Sequence, residues 1–203
     1  MTSLPEAGAD ALRRSTRLSS DDWAKAALAV IAEEGVSALA VEPLARRLGV
    51  TKGSFYWHFP TRDALLEAAL QLWETEEQAD LAGHLEKLSD SADRMRAMIM
   101  LVSYERRFNT VYAQLLKASD HPIVSPVIQR ATQRRLHYIE EGYRRAGMSD
   151  DKARYRAWLA YSAYIGFMQI NLQLQDARMT NAQFAEYVEH VMQTLVPSPG
   201  RAG

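Results

Sequence analysis

The chain has 203 residues, of which 47% are hydrophobic and 24% are charged. This is typical of a globular protein with one large domain, or with one small domain and a larger one. The absence of cysteine excludes disulfides, thiolate catalysis and cysteine-ligated zinc. Because the formal net charge is −1, any affinity for nucleic acid must come from local clusters of basic residues. The first residues lack the apolar stretch of a secretory signal, so we expect a cytoplasmic protein.

Helical spacing of apolar residues runs through the whole sequence, and no segment alternates as a strand does. This pattern predicts an all-α protein of about nine helices. Residues 1–18 are predicted to form a flexible basic arm. Ser19 or Ser20, followed by two aspartates, predicts the start of the first helix, and Gly35 predicts its end.

Two short helices are predicted next. The first spans Pro43 to Leu48 and is closed by Gly49. The second is capped by Thr51 and ends at His58 or Phe59. After Pro60, Thr61 caps a long linking helix that extends to about residue 83. Residues 19–66 are therefore predicted to be one small helical domain.

Five further helices are predicted in residues 84–196, followed by a disordered tail at 197–203. Their predicted positions are Ser91 to Tyr104, a shorter helix ending at Ala118, Asp120 to about Ala146, a long helix capped by Ser149, and Thr180 to just before Pro197. The long helix carries no charge from Ala157 to Gln175, but five polar residues interrupt that run. We therefore interpret it as a helix buried on several sides and not as a membrane span.

The two short helices, joined through Leu48 to Thr51, fit a helix-turn-helix, a motif whose second helix can enter the major groove of DNA. The small Ala45 permits close helix crossing, and Gly49 permits a left-handed turn. Phe55 and Phe59 are predicted to pack against the first helix of the motif. The polar and aromatic residues between them cannot all share that packing face, so some of them must point outward.

The string VEPLARRLGVTKGSFYWHFPTRDALLEAAL resembles the N-terminal domain of the TetR/AcrR family of bacterial transcriptional regulators. The resemblance covers roughly residues 18–75, and beyond it only length and helical character agree. It implies an N-terminal three-helix DNA-binding domain and a C-terminal helical domain for ligand binding and dimerisation. The implied partner is double-stranded DNA, and the implied DNA contacts are Thr51, Lys52, Gly53, Ser54, Tyr56, Trp57, His58, Thr61, Arg62, Arg46 and Arg17.

Particular roles follow from the same resemblance. Lys52 and Ser54 stand where side chains reach base edges, and Gly53 lets the backbone approach the duplex. Tyr56 and His58 stand at positions that clamp the DNA backbone. Further contacts are implied to be with phosphate or sugar, from Thr51, Trp57, Thr61 and Arg62.

Two residues depart from the family pattern. Ala40 stands where the family commonly has threonine or serine, so the second helix is expected to lack its cap. Glu42 brings a negative charge close to the duplex, and we expect Arg46, Arg47 and the basic arm to offset it.

A homodimer is expected because one half-site gives weak binding, whereas two recognition helices can read a palindromic operator. In proteins of this family the last two long helices pair with those of the second copy. The residues predicted to form the interface are Ala157, Ala160, Tyr161, Tyr164, Ile165, Met168, Phe184, Tyr187, Val188, Val191, Met192 and Leu195.

The family also binds effectors inside the C-terminal domain, and the residues here suit a small apolar or aromatic molecule. The candidate pocket residues are Met98, Val102, Tyr104, Phe108, Tyr112, Leu116, Tyr138, Trp158 and Met168. Plain core packing is the alternative interpretation of each of them.

The function predicted from the sequence is that of a transcriptional repressor released by its effector. No nucleophile motif, zinc motif, phosphate-binding loop or dinucleotide fingerprint is present in the sequence, so we expect no enzyme, metal or cofactor. The alternatives are a TetR-like activator and a helical ligand-binding or protein-interaction module without operator binding.

Overall fold

The computed structural model describes residues 18–85, 106–174 and 179–196. These ranges contain eight α-helices, one short 3₁₀ helix and no strand, which confirms the all-α prediction. The α-helices are α1 (Ser20–Glu34), α2 (Val41–Arg47), α3 (Lys52–Tyr56), α4 (Arg62–Leu85), α5 (Arg106–Lys117), α6 (Val124–Arg145), α7 (Asp150–Gln173) and α8 (Asn181–Leu195), and the 3₁₀ helix is Val36–Ala38. The helix predicted from Ser91 to Tyr104 lies outside the described residues.

The chain divides into two compact units, Met1–Leu72 and Trp73–Gly203, and the division falls inside α4. The first unit therefore contains α1, α2, α3 and the beginning of α4. The second contains the remainder of α4 and the helices α5 to α8.

Aromatic packing forms the core of the first unit. Trp23 of α1 meets Phe55 of α3 edge to face, with ring centroids 5.4 Å apart, and both side chains are fully buried. Phe59 lies 5.8 Å from Phe55, and Leu44 of α2 is buried beside them in the same core. The prediction that Phe55 and Phe59 are core residues is confirmed.

Several helix ends follow the local signals in the sequence. Ser19 and Asp22 form a reciprocal capping box at the start of α1, and Thr180 and Gln183 form another at the start of α8. Gly35 ends α1 with φ 93°, in the region that favours glycine. The predicted starts of α1 and α8 and the predicted end of α1 are confirmed.

Other boundaries differ from the predictions. Helix α2 begins at Val41, two residues early, because the Ala40 carbonyl already accepts from the Leu44 N–H at 3.2 Å. Helix α3 ends at Tyr56, because the N–H groups of His58 and Phe59 both bond to the Phe55 carbonyl in a tightened turn. Helix α6 begins at Val124 and not near Asp120, because turns occupy the intervening residues.

In the second unit, α6 and α7 pack along each other. Ala153 and Ala157 of α7 are fully buried against Tyr143 of α6, together with Val196 after α8. The Tyr143 hydroxyl donates to the Leu195 carbonyl at 2.7 Å, and burial raises the pKa of that phenol to about 12. Small residues on α7 therefore allow the close helix contact, and a buried hydrogen bond fixes the end of α8.

A polar network lies inside the same unit. The Arg135 guanidinium pairs with the Glu77 carboxylate at 2.5 Å and stands 3.8 Å above the centre of the Tyr112 ring. The Tyr112 hydroxyl meets those of Thr132 and Tyr161 at 3.1 and 2.5 Å. Because a buried charge is costly unless paired, this network fixes the relative positions of α4, α5, α6 and α7 within the unit.

None of the helices in the described ranges is long and apolar enough to cross a membrane.

Candidate DNA-binding site

The turn between α2 and α3 has the hydrogen bonding of a helix-turn-helix. Gly49 adopts φ 69°, its N–H donates to the Arg46 carbonyl at 3.2 Å, and the Val50 N–H donates to the Ala45 carbonyl at 3.0 Å. A side chain at position 49 would be strained by that backbone angle. Gly49 thus sets the turn that directs α3 across α2.

Helix α3 has one buried face and one exposed face. Phe55 points into the core, whereas Tyr56 is 56% exposed and Trp57 is 79% exposed. Lys52 and Gly53 share the exposed side, and Ser54 and His58 are half-buried at its margin. Large aromatic groups held in solvent on a short, anchored helix are available to contact a partner.

Thr51 occupies the N-cap position of α3 with extended backbone, as predicted, but its hydroxyl makes no capping hydrogen bond to a described residue. The reason is that the Ser54 N–H, the donor that such a cap would use, already bonds to the Thr51 carbonyl at 3.0 Å. The prediction of a side-chain cap at Thr51 is therefore wrong. The exposed hydroxyl is instead in a position to bind a phosphate.

Lys52 and Glu42 form an ion pair on the exposed surface of the motif. The Lys52 ammonium lies 2.6 Å from a Glu42 carboxylate oxygen, and both side chains are more than half exposed. The hydrogen bond from Lys52 lowers the pKa of the Glu42 carboxyl and raises that of the Lys52 amine, so both groups are charged at neutral pH. The charge of Glu42 is thus offset chiefly by Lys52, which the sequence did not suggest, and to a smaller extent by Arg46, which was expected.

Arg47 pairs elsewhere. Its guanidinium makes a two-pronged contact with the Glu33 carboxylate of α1, at 2.7 and 2.6 Å. Arg46, one residue earlier, is exposed. Arg17 lies outside the described residues.

The Arg62 guanidinium makes its contacts within the protein. Its Nε donates to the Leu39 carbonyl at 3.0 Å and its Nη2 donates to the Val36 carbonyl at 2.9 Å, while Nη1 pairs with Asp63 at 3.0 Å. These bonds tie the segment before α2 to the start of α4. The neighbouring Thr61 caps α4, as predicted, by accepting from the Ala64 N–H at 3.0 Å, and its side chain stays exposed.

The members of the predicted pocket set that the structure describes differ in exposure. Tyr112 is fully buried with its hydroxyl bonded, Leu116 and Met168 are half-buried, and Tyr138 and Trp158 are exposed. Met98, Val102 and Tyr104 lie outside the described residues, as does the side chain of Phe108 on α5.

The predicted interface residues also divide. Four of them, Ala157, Tyr161, Val188 and Leu195, are buried within their own unit, where they pack against α6 or complete the core. These four side chains are therefore already covered within a single copy, and their place in an interface stays a prediction. The remaining members of the set are half-buried: Ala160, Tyr164, Ile165, Met168, Phe184, Tyr187, Val191 and Met192.

The sequence predictions did not identify an exposed apolar stripe on α7. Tyr155, Trp158 and Leu159 are 67%, 60% and 56% exposed, and Ser162, Ala163 and Ile170 continue the same side of the helix. The spacing i, i+3, i+4, i+7 was present in the sequence. Only the structure separates this side from the buried Ala153–Ala157–Tyr161 side, because both are rich in small and aromatic residues.

In the part of the chain that the structure describes, no three His, Asp or Glu side chains cluster as a metal site requires. The site described above consists of exposed aromatic rings, hydroxyls and ion pairs.

Comparison with known proteins shows which proteins this part of the chain is similar to. Residues 24–69 match the model of the bacterial regulatory proteins, tetR family. The chain is 43% identical over 53 residues to the Tetracycline repressor protein class A from transposon 1721 of Escherichia coli, a match covering 26% of this chain and 24% of the relative. It is 44% identical over 45 residues to the HTH-type transcriptional regulator SrpR of Pseudomonas putida, covering 22% and 21%. The matches thus span less than a quarter of each curated relative's length.

Likeness of fold extends much further than likeness of sequence. A TetR-family transcriptional regulator from Agrobacterium tumefaciens superposes with a TM-score of 0.72 over 91% of this chain and 99% of its own, at 17% identity. At that identity the likeness shows a shared fold alone. The family model and the sequence matches thus show that residues 24–69 resemble the DNA-binding part of the tetR family, and the solved structure shows that the rest of the chain shares the fold of such a regulator.

Proposed function

We propose that this protein is a sequence-specific DNA-binding transcriptional regulator that represses by occupying a palindromic operator as a homodimer. The observation that carries the proposal is the exposed face of α3, where Tyr56 and Trp57 stand in solvent while Phe55 anchors the helix. On a helix-turn-helix, this face is the one that enters the major groove. No catalytic role is part of the proposal.

The contacts divide by chemistry. Lys52 and Ser54, on the first turn of α3, read base edges, and Gly53 allows the backbone to approach them. Tyr56, Trp57, His58 and the hydroxyls of Thr51 and Thr61 bind sugar and phosphate. Arg46 adds an exposed positive charge. Arg62 acts on DNA indirectly, because it holds the segment before α2 in place.

Dimerisation supplies the affinity that one half-site lacks, and we propose that the two C-terminal long helices form the interface. The exposed stripe on α7, with Tyr155, Trp158 and Leu159 at its centre, supplies the apolar surface. Rings of α7 and α8 already stack beside it, since Phe167 lies 5.6 Å from Phe184 and 4.7 Å from Tyr187.

We propose that an effector bound in the second unit ends repression. Release requires the effector to bind the DNA-incompetent state more tightly than the competent one. Leu116 and Met168 are half-buried and suit a small apolar or aromatic molecule.

Selection of bound sequences from a random pool of duplex DNA tests the proposal. We expect enrichment of a palindrome whose half-site centres lie about 34–36 Å apart, one turn of DNA, or a multiple of that distance. Enrichment of a single, asymmetric site would contradict the homodimer. Failure to enrich any sequence would contradict operator binding and favour an interaction module.

An activator remains the second candidate, because the DNA-reading surface is the same for both. Transcription in vitro from a promoter carrying the selected site separates them. A repressor lowers transcript yield when added, and an activator raises it.

A further inference from the structure

We propose that Glu42 and Lys52 read one G·C base pair together, which makes Glu42 a specificity-determining residue of the recognition surface. This inference rests on the proposed function, because it concerns the same face of the helix-turn-helix. It assigns a positive role to a carboxylate that, by charge alone, disfavours DNA.

The two side chains come from the first turns of adjacent helices. Glu42 is the second residue of α2, and Lys52 is the first residue of α3. Their charged atoms are 2.6 Å apart, with side chains 65% and 51% exposed. The pair is therefore presented to solvent at the first turn of α3, beside the residues that read bases.

Hydrogen-bonding capacity remains on both partners. An ammonium has three donors and a carboxylate has about four acceptor sites, so one mutual bond leaves most of each group available. The pair thus offers two donors from Lys52 next to an acceptor from Glu42, in a fixed order. A lone lysine would offer only donors.

That order matches one kind of base pair. Across the major groove a G·C pair presents acceptor, acceptor and donor, from guanine N7, guanine O6 and the cytosine N4 amine. Lys52 donates to the two guanine acceptors, and Glu42 accepts from the cytosine amine. An A·T pair presents acceptor, donor and acceptor, so the Glu42 carboxylate would face the thymine O4 oxygen, acceptor against acceptor.

Glu42 also disfavours binding to DNA with the wrong base pair at this position. Unless a donor lies in front of it, a carboxylate close to the duplex is repelled by phosphates and by base acceptors, which penalises wrong sequences. The pair carries no net charge, so it contributes little to non-specific binding. Without the Glu42 carboxylate, the Lys52 ammonium would be available to bind phosphates of any DNA sequence.

The test compares the base preferences of the wild type, E42Q and the matched control E33Q on the random duplex pool. Glu33 is also an exposed glutamate paired with a basic residue of the motif, but its partner is Arg47 and not a residue of α3. For the wild type we expect a strongly preferred G·C pair in each half-site. In E42Q the preference at that position should fall about tenfold, because the amide of glutamine can also donate to thymine O4, while E33Q keeps it. Non-specific binding by E42Q should become steeper in salt, by about one unit in the log–log slope.

Two further variants keep the test independent of any folding defect in E42Q. K52Q should lose preference at the same base pair, and the losses of E42Q and K52Q should not add in the double variant. An unchanged preference in E42Q, or equal changes in E42Q and E33Q, would overturn the pairing while leaving operator binding intact. If the wild type enriched no sequence, the proposed function itself would fail and the pairing with it.

Discussion

Arg62 shows how one side chain can support the proposed DNA-reading surface through contacts within the protein. Two of its nitrogens donate to the carbonyls of Leu39 and Val36, which lie in the segment between α1 and α2. The flat guanidinium can reach both carbonyls at once, whereas a lysine ammonium cannot reproduce that fork. The position of α2, and with it the turn to α3, depends on this clamp.

We therefore expect Arg62→Ala to lower the free energy of unfolding by about 2 kcal/mol, since it removes two charge-assisted hydrogen bonds. Arg62→Lys should recover less than half of the loss. Urea denaturation followed by circular dichroism measures both variants. Equal stability of the lysine variant and the wild type would show that charge, and not the fork, is what matters.

Two glycines of the motif have different expected roles, one in folding and one in the proposed DNA binding. Gly49 has φ 69°, so Gly49→Ala should cost about 1–2 kcal/mol of stability. Gly53 is different, because a Cβ built there meets only the Thr51 hydroxyl oxygen, at an ordinary contact distance of 3.7 Å.

We expect Gly53→Ala to stabilise the protein by about 0.5–1 kcal/mol, because alanine favours helix over glycine. The same methyl group stands where the backbone of α3 approaches the duplex, so operator affinity should fall about tenfold, or about 1.4 kcal/mol. Thermal unfolding and fluorescence anisotropy with the selected duplex measure the two effects. A stabilised variant with full affinity would refute close backbone approach at this position.

At the scale of single helices, α2 lacks the side-chain cap that α1 has. Ala40 has the extended backbone of an N-cap, φ −140° and ψ 141°, but no side-chain acceptor. Helix α1 shows what that acceptor provides, because the Ser19 hydroxyl accepts from the Asp22 N–H. The sequence alone predicted this weakness of α2.

Ala40→Ser should therefore raise the free energy of unfolding by about 1 kcal/mol, because the exposed site has the correct backbone conformation for a cap. Ser19→Ala should lower it by a similar amount and serves as the reciprocal control. Chemical denaturation measures both. If Ala40→Ser gave no gain, the start of α2 would already be satisfied by another group.

Helix ends were predictable where the signal is local, and less so where partners compete. Ser19, Thr180 and Gly35 act as the sequence indicates, because their bonds involve residues within four positions. Thr51 and Ser149 occupy the predicted N-cap positions without a side-chain cap, and at Thr51 a backbone carbonyl takes the donor. The pairing of Glu42 with Lys52 and that of Arg62 with Val36 were not predictable, since they join different elements.

At the scale of the whole molecule, the helix-turn-helix motif predicted the fold and the exposed face of α3, but it did not predict which C-terminal residues are buried and which are exposed. Periodicity identifies apolar positions without saying what covers them. Ala157 and Tyr161 were predicted at an interface and lie in the core, while Trp158 was predicted in a pocket and lies in solvent. Two apolar sides of one helix look alike until the packing partner of each is known.

Trp158→Glu should break the proposed dimer. A two-fold interface loses the side chain twice, and buried tryptophans are frequent interface hot spots, so the dimer dissociation constant should rise about a hundredfold or more. Sedimentation velocity across micromolar concentrations measures this. Tyr138→Glu, an exposed aromatic residue on α6, is the control and should leave the dimer intact.

A monomeric wild type at micromolar concentration would contradict the dimer itself. A dimer that survives Trp158→Glu would move the interface away from the exposed stripe of α7.

The central claim is that the exposed face of α3 binds the operator, and Tyr56→Ala tests it most directly. Tyr56 is 56% exposed and its ring meets Phe55 edge to face at 5.2 Å, so its loss should cost about 1 kcal/mol of stability and leave the protein folded. On the duplex enriched by the wild type, we expect the affinity of Tyr56→Ala to fall at least about tenfold, or about 1.4 kcal/mol, in fluorescence anisotropy at fixed salt. A folded Tyr56→Ala protein that binds this duplex as tightly as the wild type would contradict the claim.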